Sequence, residues 1–330
     1  MSVAYPPRLN FAQLPTPLDF LERLSEKIGG PRIWVKRDEK TGATIGGNKI
    51  RKLEFTLARA LDQGCDTIIT CGGIQSNHCR ATAIICAQLG LHCHLILRGQ
   101  EEQAADGNFL LDRLVGAQIS FYTDREYQKR GQAIYQEWEE HYRGQGKQPF
   151  SIPVGASDGI GIWGYIAACE ELADDFADAN INPEHIVCAT GSGGTQAGLI
   201  AGNALWDLDA TISGINVCDD EAYFHNKIRE DLRHWQHVYP QAIDVETLPV
   251  NVIDGYVGAG YARASADVFD TIKMVARMEG VIFDPVYTGK AFHGLLSEIS
   301  KGHFDDCEDV VFIHTGGIFG LFPQREQFQF

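Results

Sequence analysis

The chain has 330 residues, enough for about two domains at roughly 150 residues each. Its 28 Lys and Arg against 44 Asp and Glu leave a formal charge of −16, which repels phosphate backbones and anionic bilayers and excludes general nucleic-acid binding. With 44% apolar and 22% charged residues the mix is that of a globular protein, and no apolar run approaches the ~20 residues of a bilayer span.

The prolines of MSVAYPPRLNFAQLPTP stand where a signal peptide needs an apolar stretch, so a cytoplasmic address is expected. The nine cysteines form no CxxC pair. They offer no structural zinc site and read as small buried hydrophobes in a reducing compartment.

The first motif is IGGNKIRKLEF, residues 45–55. Its two glycines allow a tight turn, Asn48 is a good N-cap, and a helix is predicted over 51–63. Lys49 then stands at a helix start. The positive end of the helix dipole, with Arg51 and Lys52, disfavours its charge. A lysine so depressed is the type that forms Schiff bases, though a solvated lysine on a first turn is the plainer reading.

An apolar strand over 66–70 runs into CGGIQSNH, residues 71–78, and a helix over 78–89. Free N–H groups at that helix start can hold a carboxylate or phosphate, with Ser76, Asn77 and His78 adding side-chain donors. Strands follow over 92–97, 118–122 and 150–153, with a helix over 125–142 and a polar loop over 143–148. After a helix over 161–173, the strand over 185–189 leads into the loop ATGSGGTQAG and a helix over 194–205. Gly191, Ser192, Gly193, Gly194 and Thr195 suit a phosphate cup. A dinucleotide loop stays open, since Gly191 and Gly193 begin a GxGxxG pattern and Asp219 and Asp220 follow the strand over 212–217. Gln196 at the sixth position weakens it.

The loop over 254–261 carries Tyr261 and precedes a helix over 262–278. DPVYTGKA follows with Tyr287 and Thr288, and the strand over 310–314 ends at Thr315 and two glycines. His314 reads as a satisfied core histidine, and PQREQFQF as a polar tail or partner contact. Alternation of strands and helices implies parallel sheets with right-handed crossovers. An activated lysine, a phosphate cup and anion-holding helix starts together suit pyridoxal phosphate.

Over residues 15–317 the chain resembles the pyridoxal-phosphate family of D-cysteine desulfhydrase and 1-aminocyclopropane-1-carboxylate (ACC) deaminase. PTPL, IWVKRDEKTG, GGNKIRKLEF, GGIQSNH, the GSGGT cup, DPVYTGKA and FIHTGG recur in that order. The resemblance implies an α/β fold of the tryptophan-synthase-beta type: two open, twisted, mostly parallel sheets flanked by helices. It divides the chain into a large cofactor-binding domain (1–51 plus 161–330) and a small mobile one (52–160). It implies a homodimer acting on a small amino acid. By motif, Lys49 is the Schiff-base lysine and 191–195 the phosphate cup. Asn77 lies near the ring hydroxyl, and Ser76, Asn77 and His78 hold the substrate carboxylate. Ser76, Tyr261 and Tyr287 are further catalytic candidates. Thr288 and Thr315 are both candidates for the ring nitrogen.

Two departures bear on substrate. The deaminases have glutamate at Thr288 and leucine at Thr315. A threonine is a weaker partner for the ring nitrogen than a carboxylate, which favours D-cysteine desulfhydrase, releasing pyruvate, sulfide and ammonia. IWVKRDEKTG is also similar to L-cysteate sulfo-lyases, so that activity and ACC deaminase are the alternatives. Outside this class stand a nicotinamide oxidoreductase and a non-catalytic cofactor-binding protein.

Overall fold

Runs such as His185–Thr190 (HIVCAT) and Asp309–Ile313 (DVVFI) are almost wholly buried, as strands covered on both faces must be. The computed structural model describes residues 3–101 and 105–330. The chain begins with β1 (Leu18–Phe20), α1 (Glu22–Ile28) and β2 (Arg32–Lys36). Then come α2 (Asn48–Asp62), β3 (Thr67–Gly73), α3 (Asn77–Leu89), β4 (His92–Arg98), α4 (Gly107–Leu114), β5 (Gln118–Tyr122), α5 (Asp124–Gly144) and β6 (Pro149–Ile152). They are followed by α6 (Trp163–Ala179), β7 (His185–Thr190), α7 (Gly194–Trp206), β8 (Thr211–Asn216) and α8 (Glu221–Val238). The last elements are β9 (Asn251–Ile253), α9 (Ala266–Glu279), α10 (Thr288–Ser300) and β10 (Asp309–Ile313).

The strands form two sheets. One has six strands in the order β1-β2-β10-β7-β8-β9, the other four in the order β5-β4-β3-β6. Every pairing is parallel except β1 with β2. This is the expected α/β arrangement of two mostly parallel sheets flanked by helices. Every predicted strand is present. Unpredicted are β1, β2 and β9, and the helices α1, α4, α8 and α10. Among the described residues, no helix is long and apolar enough to cross a membrane. All nine cysteines are free, and six of them are buried.

Helix α2 positions the first motif. It starts at Asn48, three residues earlier than predicted, and it is not capped by the Asn48 side chain. Gly47 occupies the cap position at φ 113°, a conformation that favours glycine. A Cβ there would lie 2.7 Å from the Thr315 carbonyl oxygen, and the Asn48 N–H donates to that same oxygen at 3.1 Å. The start of α2 is thereby clamped to the end of β10. Asn48 instead donates from Nδ2 to Thr195 Oγ1 at 2.9 Å, joining α2 to the glycine loop.

Arg51, one turn below, anchors α2 in a buried polar network. Its guanidinium donates to Asp38 at 2.8 and 2.9 Å and to Glu171 at 3.0 and 3.1 Å. Lys36 pairs with Glu171 at 2.5 Å. Burial alone would raise Glu171, but the bonds and charges of Arg51 and Lys36 outweigh it and hold the carboxyl at about 2. A carboxyl depressed on folding adds stability above its unfolded pKa, which is lost as pH falls towards the folded one. Glu171→Gln is expected to cost about 3 kcal/mol at pH 7. The difference from wild type should shrink between about pH 4.5 and about 2. Urea unfolding across that range checks it; a pH-independent difference would show that the carboxylate charge is not what matters.

Candidate active site

A cavity of about 420 Å³ opens where the carboxyl ends of β3, β4, β7 and β8 face the start of α2. Ligands sit at such strand ends in open α/β sheets. Lys49, Ser76, Asn77, His78, Gly191, Ser192, Gly193, Thr195, Tyr261, Tyr287 and Thr315 all line it. These residues come from motifs spread over most of the chain. Thr288 and Gly194 do not line the cavity.

Thr288 is turned away for a clear reason. It is fully buried, and its hydroxyl donates to Asp284 Oδ1 at 2.7 Å while accepting from the Asp284 N–H at 2.9 Å. Asp284 also accepts from the N–H groups of Val286, Tyr287 and Thr288, closing the first turn of α10. The sequence reading places no helix there. Thr315 is therefore the threonine exposed to the cavity.

Lys49 is enclosed by protein on the first turn of α2. Burial pushes its amine down to about 8, against a weak opposing pull from Cys188. The expected cause was the helix dipole with Arg51 and Lys52; the leading cause is desolvation instead, and the Arg51 charge is absorbed by Asp38 and Glu171. Competitive acetylation of the cofactor-free protein should give Lys49 a reactivity midpoint near 8. A midpoint at the value of the surface lysines would contradict that.

The glycine loop lies over a chain of hydroxyls. Lys52, three residues beyond Lys49, donates from Nζ to Ser157 Oγ at 3.1 Å, and the Gly194 N–H donates to the same oxygen at 3.2 Å. Ser157 in turn donates to Ser192 Oγ at 2.8 Å. A Cβ on Gly194 would stand 2.6 Å from Ser157 Oγ and 2.9 Å from Lys52 Nζ, so only glycine leaves this cradle open. Lys52 is fully buried and makes no salt bridge among the described residues, although the charges of Asp231 and Asp158 reach it. Burial first, then the Lys49 charge, push its amine well below the ordinary lysine value. Charging a buried amine that no carboxylate contacts is costly, and an anion in the cup would supply the contact that is missing. The residues present fit a phosphate group. Lys52 and Ser157 were missed in the sequence; spacing of i and i+3 on one helix face is the signal for Lys52.

The opposite wall is the start of α3. Ser76 caps this helix, its Oγ accepting from the Cys79 N–H at 3.2 Å. Asn77 Oδ1 accepts from Asn108 at 3.0 Å. His78 differs from expectation. Thr70 donates its hydroxyl to the Ile152 carbonyl at 2.9 Å, so His78 Nε2, 2.8 Å from that hydroxyl, must carry the hydrogen. Burial, with the charges of Lys49 and Lys52, keeps His78 far below the usual histidine range, hence neutral. Its Nδ1 is buried without a partner. It offers an acceptor here rather than a cation for a carboxylate.

Tyr261 and Tyr287 meet across the roof, hydroxyl to hydroxyl at 2.7 Å. Gly73 permits this, since a Cβ there would lie 3.0 Å from the Tyr261 ring. Burial raises both phenols, Tyr261 to about 12 against an opposing bond from Tyr287, and Tyr287 well above the ordinary tyrosine value. Both rest protonated at neutral pH and can donate a proton. Arg98 and Cys218, at the ends of β4 and β8, also line the cavity.

A buried amine of lowered basicity, a glycine cup over an unpaired ammonium and an anion-holding helix start define a pyridoxal-phosphate type of site. The profile of a family described as "Pyridoxal-phosphate dependent enzyme" matches residues 9–316, and the chain belongs to that family. It is 41% identical over 329 residues to the bifunctional D-cysteine desulfhydrase/1-aminocyclopropane-1-carboxylate deaminase, mitochondrial, of Arabidopsis thaliana, covering 96% of this chain and 80% of that protein. It is 39% identical over 324 residues to the D-cysteine desulfhydrase of Salmonella typhimurium, covering 96% and 95%. A crystal structure of an ACC deaminase homologue superposes with a TM-score of 0.87 at 35% identity, covering 97% of this chain and 95% of that one.

Proposed function

We propose that this chain is a carbon–sulfur lyase that converts D-cysteine to pyruvate, sulfide and ammonia. The observation that carries it is Lys49, an amine of pKa about 8 in a cavity whose phosphate cup holds an unpaired ammonium. The names of the Arabidopsis and Salmonella relatives support the substrate. In this reading Lys49, Lys52, Gly191, Ser192, Gly193, Thr195 and Thr315 hold pyridoxal 5′-phosphate. When bound, that cofactor supplies a sink for the electron pair left by the α-proton.

The chain's own groups do the rest. An amine near 8 is about one-tenth neutral at pH 7, far more than an ordinary lysine, and can take a proton at Nζ. The helix start at Ser76 and Asn77 seats the α-carboxylate on free N–H groups. The Tyr261–Tyr287 pair, held as neutral phenols, returns a proton. Thr315 would offer a hydroxyl rather than a carboxylate to the cofactor's ring nitrogen, which would weaken the sink and suit loss of a good sulfur leaving group better than ring opening. We also assign residues 52–160 as a small mobile domain, with 1–51 and 161–330 as the larger one. A cytoplasmic homodimer belongs to the same reading; the free cysteines suit a reducing compartment.

The test is keto-acid release by purified, cofactor-loaded protein from D-cysteine, L-cysteine, L-cysteate, D-serine and ACC. Pyruvate with sulfide from D-cysteine is the expected result. 2-Oxobutyrate from ACC alone, or no keto acid from any, would overturn the reading.

A further inference from the structure

Two cations in the cavity, Lys227 and Arg98, are not used by this account, and Lys227 is paired with Asp231. Arg98 ends β4, and its register partner on β3 is Gly73, so it stands beside the loop that seats the carboxylate. Its guanidinium lies over the Tyr127 ring, 5.4 Å from the centroid. Tyr127 is fixed in turn by a 2.9 Å contact between its hydroxyl and Cys71 Sγ. Arg98 has no acidic partner among the described residues, and its Nε is buried with no hydrogen-bond partner. Arg51, by contrast, is saturated by Asp38 and Glu171. Arg98 lines the cavity together with Tyr261 and Tyr287.

A half-buried guanidinium stacked on an aromatic ring keeps its edge donors free. Left unpaired, it is a standing cost that an arriving anion removes. The phosphate and the α-carboxylate already have seats at Lys52 and at the start of α3. The group that remains on a β-substituted amino acid is the β-substituent.

We propose that Arg98 is the specificity residue for that substituent and binds it as an anion. This rests on the lyase reading above. A thiol docked on the guanidinium is favoured as thiolate, the form in which sulfur leaves. A β-sulfonate fits better still, since its oxygens accept from two guanidinium N–H groups at once. An Arg98 seat of this kind would admit the L-cysteate alternative that the resemblance offers, beside D-cysteine. In that reaction the Cβ–S bond breaks with its electron pair going to sulfur. Sulfite leaves, and one water completes pyruvate and ammonia, with no external oxidant or reductant. A cyclopropane ring offers Arg98 no charge.

The experiment separates binding from turnover. Holoenzyme is titrated calorimetrically with 3-sulfopropanoate and with butanoate, neither of which has an amine to react. Arg98→Met should weaken 3-sulfopropanoate about 10- to 100-fold, the effect of losing one charge-assisted bonded pair, and leave butanoate within about twofold. Arg98→Lys, which keeps the charge, should restore part of the loss and guards against misfolding. Equal weakening of both ligands would assign Arg98 to the carboxylate or to the fold, and no weakening of either would leave it bound to Tyr127; each overturns the proposal. If the discrimination holds while no amino acid yields keto acid, the anion seat stands and the lyase reading falls. If D-cysteine is turned over without discrimination, the reverse is true.

Discussion

Lys49→Ala is expected to lower keto-acid release by about 10,000-fold or more while the fold survives. The side chain faces a cavity, so its removal breaks no packing that holds α2. The helix is held elsewhere, by Gly47 against Thr315 and by Arg51 in its acidic network. Removal also takes out a buried amine that repels Lys52, so stability should not fall. Circular dichroism and the melting temperature check the fold, and pyruvate release checks the chemistry. Turnover within tenfold of wild type would remove Lys49 from its role. Lost turnover with lost structure would make it a folding residue instead.

Lys52→Met should weaken binding of pyridoxal 5′-phosphate roughly 100-fold, because a buried charge pair loses one partner. The cofactor-free protein should be at least as stable as wild type, since a buried amine that no carboxylate contacts is exchanged for a thioether of similar length. These two results must appear together. Unchanged cofactor affinity with a less stable apoprotein would mean that Lys52 serves the hydroxyls of Ser157 and Ser192 and not a phosphate. Fluorescence titration and urea unfolding of the same preparations supply both values.

The buried parallel strands were legible because each is an apolar run between glycine or polar breaks. β2 was not, since RIWVK carries a charge at either end. Those charges are answered only in three dimensions, Arg32 by Asp309 and Lys36 by Glu171 and Asp175. β1 and β9 are three residues long, too short to show a period. α8 is rich in charge, and α10 begins inside a glycine-containing motif, its first N–H held by Asp284.

The cavity was legible through its glycine-flanked motifs, which fall at strand ends in any open sheet. The role of each side chain was less so. Thr288 and Thr315 are equivalent candidates by motif, and only the hydroxyl bond to Asp284 separates them. His78 looks like a polar donor until Thr70 turns its ring inward. Lys52 and Arg98 gain meaning from what they lack, an anion, and a chain read in one dimension cannot show an absent partner.

The most direct test of the central claim is borohydride treatment of the cofactor-loaded protein, followed by proteolysis and peptide mass mapping. Borohydride fixes pyridoxal 5′-phosphate to the lysine that holds it. The account predicts one modified peptide, carrying the added mass on Lys49. The same mass on Lys52, on Lys290 or on a surface lysine, with Lys49 unmodified, would contradict it.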